Sequence, residues 1–141
     1  MDAAEFFKDV VKPNYEEFCG DQNQLQRLWK AVVSMNTVAE YVALDRLGYE
    51  DLEREKLDKQ AEEIRKDNPI LFDLKVCADT LKHVRKLERK VRTEVTSIAS
   101  STGILSDQPT TWVIGHKTKQ YVLSDVLHSS FDTLSIFPEL R

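Results

Sequence analysis

The sequence predicts a mainly α fold: an up-and-down helical bundle with two long core helices, followed by a small C-terminal β-hairpin and a closing helix. Three observations predict it. Only four Gly and four Pro stand in 141 residues, about half the usual share, so little interrupts a helix. Residues 21–48 and 69–98 contain long runs free of internal Gly and Pro, with apolar residues recurring at intervals of three and four. Residues 110–114 and 120–123 are short, rich in β-branched and aromatic residues, and flank Gly115-His116-Lys117-Thr118-Lys119. A chain of this length buries about two-thirds of its unfolded surface, enough for one core, so residues 1–141 are expected to form a single helical domain.

At the start, Asp2-x-x-Glu5 has the spacing of a capping box ahead of Phe6, Phe7, Val10 and Val11, which predicts a short helix closing before Pro13. Asn14 and Glu17 repeat the signal for one more turn, ending near Gly20. Asp21-x-x-Gln24 then opens the first core helix, whose buried stripe should include Leu28, Val32, Met35, Ala39 and Val42. From Tyr49 to Asp67 the stripe thins to Leu52, Leu57, Ala61 and Ile64 amid dense charge, the pattern of a helix with one narrow buried edge.

Asn68-Pro69 supplies an N-cap and a proline at the first helical position, and Leu74, Cys77, Leu81, Val91, Val95 and Ile98 carry the second core helix onward. Residues 99–109 are a loop by composition. After the hairpin, Ser124 is placed to cap a last helix that turns Val126, Leu127, Phe131, Leu134 and Phe137 inward before Pro138. Trp29 and Trp112 are expected to anchor the hairpin against the bundle.

Composition excludes several functions. Residues 1–11 carry Asp2, Glu5, Lys8 and Asp9, so they lack the apolar heart of a signal peptide, and no run approaches the roughly 20 apolar residues of a membrane span. The chain is therefore expected in the cytoplasm, with no membrane partner. Cys19 and Cys77 are isolated thiols, without the spacing of a zinc ribbon or a redox pair. Neither has a neighbouring His to activate it, and the serines lack a nucleophile-elbow context.

One pair is chemically suggestive. Asp79 and His83 lie four apart on one helix face, with Lys82 beside them, and Glu40 sits among the apolar residues of the other core helix one turn after Asn36. Glu40, Asp79, Lys82 and His83 are thus the candidate polar site, with no residue assigned as catalytic. Carboxylates on facing helices can build a di-metal centre, but the Glu-x-x-His pair of such centres is missing, so no metal and no cofactor is expected. A semi-buried polar layer in which Asp79 orients His83 accounts for the same residues.

Residues 82–92 hold six cations against one acid, whereas residues 39–63 hold nine acids against four cations. Neutralisation between the two helices is the expected use of this asymmetry. With a net charge of −4 and no interleaved aromatics, nucleic acid is not the expected partner; a protein or a second copy of the chain is.

Three stretches together carry a resemblance: Val10-Val11-Lys12-Pro13-Asn14-Tyr15-Glu16-Glu17-Phe18, Ala78-Asp79-Thr80-Leu81-Lys82-His83, and the hairpin with its closing helix from Trp112. They resemble a group of small bacterial helical-bundle proteins distantly similar to the HEPN-like helical domains of defence and toxin systems. The resemblance implies a bundle with the Lys-His-bearing helix at its centre. Ribonucleases of that class place an Arg upstream of the His on one helix. Here Leu74 to Asp79 precede His83 without one, and Arg85 follows it, so those catalytic residues do not carry over. The sequence is read as a non-catalytic binding or interaction module, with a HEPN-like ribonuclease or metal-dependent hydrolase as the alternative.

Overall fold

The computed structural model describes residues 1–49, 53–86, 95–98 and 111–141. Among the described residues, six α-helices and three strands follow in the order α1 (Ala3–Phe6), α2 (Lys12–Gly20), α3 (Leu25–Leu47), α4 (Arg54–Asp67), α5 (Pro69–Lys86), β1 (Val95–Ile98), β2 (Thr111–His116), β3 (Lys119–Val122) and α6 (Leu123–Ser135). A π-helical turn, Phe7–Val11, joins α1 to α2, and a 3₁₀ turn, Pro138–Leu140, follows α6. The fold is mainly α, as the low Gly and Pro content requires.

The capping box at the N-terminus is complete. Asp2 Oδ1 accepts from the Glu5 N–H at 2.8 Å, and Glu5 Oε2 accepts from the Asp2 N–H at 3.1 Å. The helix does not close before Pro13. It widens instead, with the Lys12 N–H bonded to the Phe7 carbonyl, and Pro13, which has no N–H to bond back along the rod, follows directly after this turn.

The first core helix begins at Leu25, later than its capping signal: Asp21 bonds the Asn23 N–H and the Gln24 side chain, closing a local turn ahead of the helix. It ends at Gly48, whose φ of +83° is the left-handed conformation suited to glycine and whose N–H reaches the Leu44 carbonyl at 2.9 Å. Asn68 closes α4 through its side-chain amide, which donates to the Ile64 carbonyl at 2.9 Å.

The second core helix is shorter than its periodicity suggests. It runs as helix over Pro69–Lys86, whereas Val95–Ile98 is a strand. Val95, Thr96 and Ile98 are β-branched, and their backbone finds an open strand edge on β2, so pairing wins over an apolar spacing that fits either structure. Residues 87–92 of the basic run and the loop at 99–109 lie outside the described residues. The sheet has the order β1-β2-β3, antiparallel throughout. His116 opposes Lys119, so the turn holds only Lys117 and Thr118, and Gly115 sits within the strand opposite Gln120. Lys117 takes the left-handed conformation at φ 57°. The closing helix follows β3 directly at Leu123, one residue before Ser124.

One buried cluster joins the helices and the sheet. Leu28, Val32, Leu74 and Leu81 are all buried in it, as the two long stripes predict. Aromatic contacts tie the N-terminal helices in: Phe6 stacks on Tyr41 at 4.2 Å between ring centres, and Phe7 on Phe131 at 5.4 Å. Trp112 packs against the core and donates its indole N–H to the Gln22 carbonyl at 2.7 Å, which fixes the sheet to the α2–α3 connection. No helix among the described residues is long and apolar enough to cross a membrane.

Candidate functional site

The four predicted polar residues divide into two pairs. Glu40 and Asp79 are half-buried and project from α3 and α5 towards a cation that the sequence reading does not single out, Arg65 of α4. Arg65 is only 5% exposed. Its Nη2 donates to the Asn36 carbonyl at 3.2 Å and to Asn36 Oδ1 at 3.3 Å, while Nε has no partner among the described residues. Burial pulls the guanidinium pKa down; the charges of Glu40 and Asp79, then of Asp58 and Glu62, push it back up. None of these carboxylates forms an ion pair with it among the described residues.

Lys82 and His83 stand in solvent. No hydrogen bond joins Asp79 to His83 among the described residues, so the expected Asp–His layer is replaced by an Arg–Asn layer flanked by two carboxylates. One turn further along the same face of α5 from the half-buried Asp79, the cover of the neighbouring helices ends and His83 lies in water, while Ala61, Ile64 and Arg65 form the buried edge of α4. A cation at that edge position is the signal in the sequence that points to Arg65.

The expected neutralisation between acidic and basic helices falls on side chains outside the described residues, since of the basic run's cations only Lys82, which stands in solvent, is described. The ion pairs of α4 are internal, Arg54 with Asp58 and Lys66 with Glu62, each one turn apart and exposed. Such pairs contribute little to stability. On α5, Asp73 instead meets Lys119 of the hairpin at 3.5 Å.

A second polar constellation links α2 to α6. The Tyr15 hydroxyl is hydrogen-bonded to His128 Nδ1, and the Tyr15 ring packs on Phe131 at 4.3 Å between centres. Burial first, then the Cys19 side chain bonded beside it and the charge of Asp132, hold the Tyr15 pKa well above its ordinary value. Tyr15 is therefore a phenol at ordinary pH, hydrogen-bonded to His128 Nδ1. The bond ties two helices together through an uncharged phenol, not through an ionised nucleophile. Tyr15 and His128 are 113 residues apart, and the only local signs are two spacings of four, Tyr15 with Cys19 and His128 with Asp132.

Among the described residues, no group of three or more His, Cys, Asp and Glu is gathered to hold a metal ion. The two thiols differ sharply. Cys77 is buried and its pKa is pushed up to about 12 by burial, then by the charge of Asp73, whereas Cys19 is exposed.

The third polar arrangement ties together one end of the bundle. Asp45, near the end of α3, accepts the Ala3 N–H at 3.0 Å through one oxygen and the Tyr49 hydroxyl at 2.8 Å through the other. Arg46 Nε meets Glu139 Oε1 at 2.6 Å, drawing the C-terminal 3₁₀ turn to the same place. That contact holds the Glu139 carboxyl below its usual range. Close to these bonds along the chain, large apolar or aromatic side chains remain in water: Leu47 is 41% exposed and Tyr49 61% at the end of α3, and Ile136 is 67% exposed at the end of α6.

No family model matches the chain, and neither a curated protein nor a solved structure matches it.

Proposed function

We propose that this chain is a non-catalytic protein-interaction module that binds through the end of the bundle where α1, the end of α3 and the C-terminal 3₁₀ turn meet. The observation that carries this reading is the exposure of Leu47, Tyr49 and Ile136 on segments fixed by the Asp45 and Arg46 bonds. A single exposed apolar side chain is ordinary on any surface. Three on two chain segments, the end of α3 and the end of α6, held before any partner arrives, have the make-up of a preorganised contact surface, and Tyr is among the residues enriched at such surfaces.

The ribonuclease alternative asks Glu40, Asp79, Lys82 and His83 to act together. Glu40 and Asp79 face Arg65, and Lys82 and His83 face solvent, which favours the interaction reading. The setting we infer, a bacterial cytoplasm among HEPN-like relatives, rests on the sequence resemblance.

Affinity capture with matched variants tests the function. A protein retained from bacterial lysate by the wild type should be lost with the Tyr49→Ser/Ile136→Ser double variant and kept by Lys82→Ala/His83→Ala. RNA cleavage by the purified chain that disappears in Lys82→Ala/His83→Ala would overturn the proposal in favour of the nuclease.

A further inference from the structure

The fold gives Cys19 the histidine that the order of the chain withholds. Cys19 lies one turn after Tyr15 on the same face of α2, and its side chain is bonded to the Tyr15 hydroxyl. That hydroxyl is hydrogen-bonded in turn to His128 Nδ1 on α6. Tyr15 thus stands between a thiol and an imidazole with a group that can both donate and accept. Tyr15 and His128 are half-buried and Cys19 is exposed, so the sulfur end of the row is the end open to a reagent in solvent.

The charges around the row matter to a thiolate. Cys19 occupies the last turn of α2, and the partial negative charge of a helix C-terminus repels a second one. Arg27 opposes this by donating Nη1 to the Glu17 carbonyl at 3.0 Å, which sets a cation at that helix end. At the other end of the row, Asp132 follows His128 by one turn of α6 and its charge is felt at Tyr15, and Asp125 precedes His128 by three residues. Negative charge therefore stands on the helix that would receive a proton.

From the row Cys19–Tyr15–His128 we infer that Cys19 is a site of thiol–disulfide exchange that takes a small disulfide from solvent, with Tyr15 and His128 as positioning residues that carry its proton away. The thiol proton moves to the Tyr15 oxygen as the Tyr15 proton moves to Nδ1, which leaves a thiolate, a phenol and an imidazolium. The thiolate attacks one sulfur of the disulfide: a bond to Cys19 Sγ forms, the bond between the two reagent sulfurs breaks, and the departing thiolate leaves with that electron pair. It takes up the proton that His128 returns through solvent. Cys19 is thereby oxidised to a mixed disulfide and half of the reagent is reduced to a thiol. Cys77, which is buried, has no such access.

The test uses the full chain and an aromatic disulfide whose released thiolate is coloured, with an unstructured cysteine peptide as the reference. At pH 7 the wild type should release colour about tenfold faster than the peptide, and its rate should climb less between pH 6 and 9 than that of an ordinary thiol, which titrates near about 8.5. Cys19→Ser should abolish the fast release, and mass spectrometry should place the mixed disulfide on Cys19. Tyr15→Phe and His128→Gln should each bring the rate to within about twofold of the peptide and restore its steep pH profile. His128→Gln keeps a hydrogen-bonding side chain that takes up no proton, so it separates proton transfer from position, and circular dichroism establishes that both variants fold.

A wild-type rate and pH profile matching those of the peptide would overturn the inference. So would fast release that survives His128→Gln, because the imidazole would then not receive the proton, or fast release that survives Cys19→Ser, because Cys77 would then be the reacting thiol.

Discussion

Two polar clusters join the helices, one inside the core and one half-buried at its edge, and they solve the same problem in opposite ways. Arg65 is a full charge, almost completely buried, satisfied through one nitrogen by Asn36 and attended at a distance by Glu40 and Asp79. Tyr15 is an uncharged phenol at ordinary pH, joined to His128 by one hydrogen bond and packed on Phe131. Removing a charge from water costs far more than removing a hydroxyl, and the cost is recovered only when every donor finds an acceptor. The Arg65 cluster leaves Nε without one among the described residues, so it should add less net stability than the smaller Tyr15 pair. The size of a polar residue is thus a poor guide to what it contributes.

The largest expected effect tests the ground on which both clusters stand. Leu74 of α5 is 1% exposed and belongs to the common apolar cluster. Leu74→Ala should cost about 2 to 5 kcal/mol in denaturant unfolding, more than loss of either polar cluster. A cost smaller than that of Tyr15→Phe would mean that polar bonds, not packing, hold the helices together.

Next comes Tyr15→Phe, which keeps the ring on Phe131 and removes the bond to His128. Urea unfolding near neutral pH should show a loss of about 0.5 to 1.5 kcal/mol. The pH profile sharpens the point. A tyrosine whose folded pKa lies above its unfolded value near 10 contributes stability that is fully present below pH 10 and is lost as pH rises through the folded value. The variant should lack that alkaline fall. Wild type and Tyr15→Phe declining in parallel above pH 10 would show that the phenol does not titrate on unfolding.

The smallest effect is expected at the larger side chain. Arg65→Met keeps most of the volume and removes the buried charge, so its unfolding free energy should stay within about 1 kcal/mol of the wild type, on either side. A loss above about 2 kcal/mol would show that Glu40 and Asp79 compensate the guanidinium more fully than the absence of a direct ion pair implies, and would reverse the comparison.

The sequence makes the apolar skeleton legible because helical periodicity depends on neighbours three and four residues away. Leu28, Val32, Leu74 and Leu81 are where their spacing puts them, and the Asp2–Glu5 capping box forms with both of its bonds. What depends on partners distant in the chain is harder to read. The spacing of Val95 and Ile98 suits a helix or a strand, and β2 decides for the strand. Asp79 and His83 share a spacing that permits contact, but the solvent boundary passes between them. Arg65 looks like one more charge in a charged helix until α3 and α5 close over it. Tyr15 and His128 carry no common pattern at all, since their meeting depends on how α2 and α6 are placed.

That placement depends on the π turn at Phe7–Val11. A turn closed by a bond five residues back consumes one residue more than an α-helical turn. Each residue of an α-helix advances about 100° around the axis, so the extra one resets the angular phase of everything downstream by roughly that amount. The turn acts as a coupling between two shafts keyed at different angles. Upstream, Phe6 meets Tyr41 of α3; downstream, Tyr15 meets His128 of α6. A single helical rod from Ala3 to Gly20 thereby addresses two different walls of the bundle without a break in the chain.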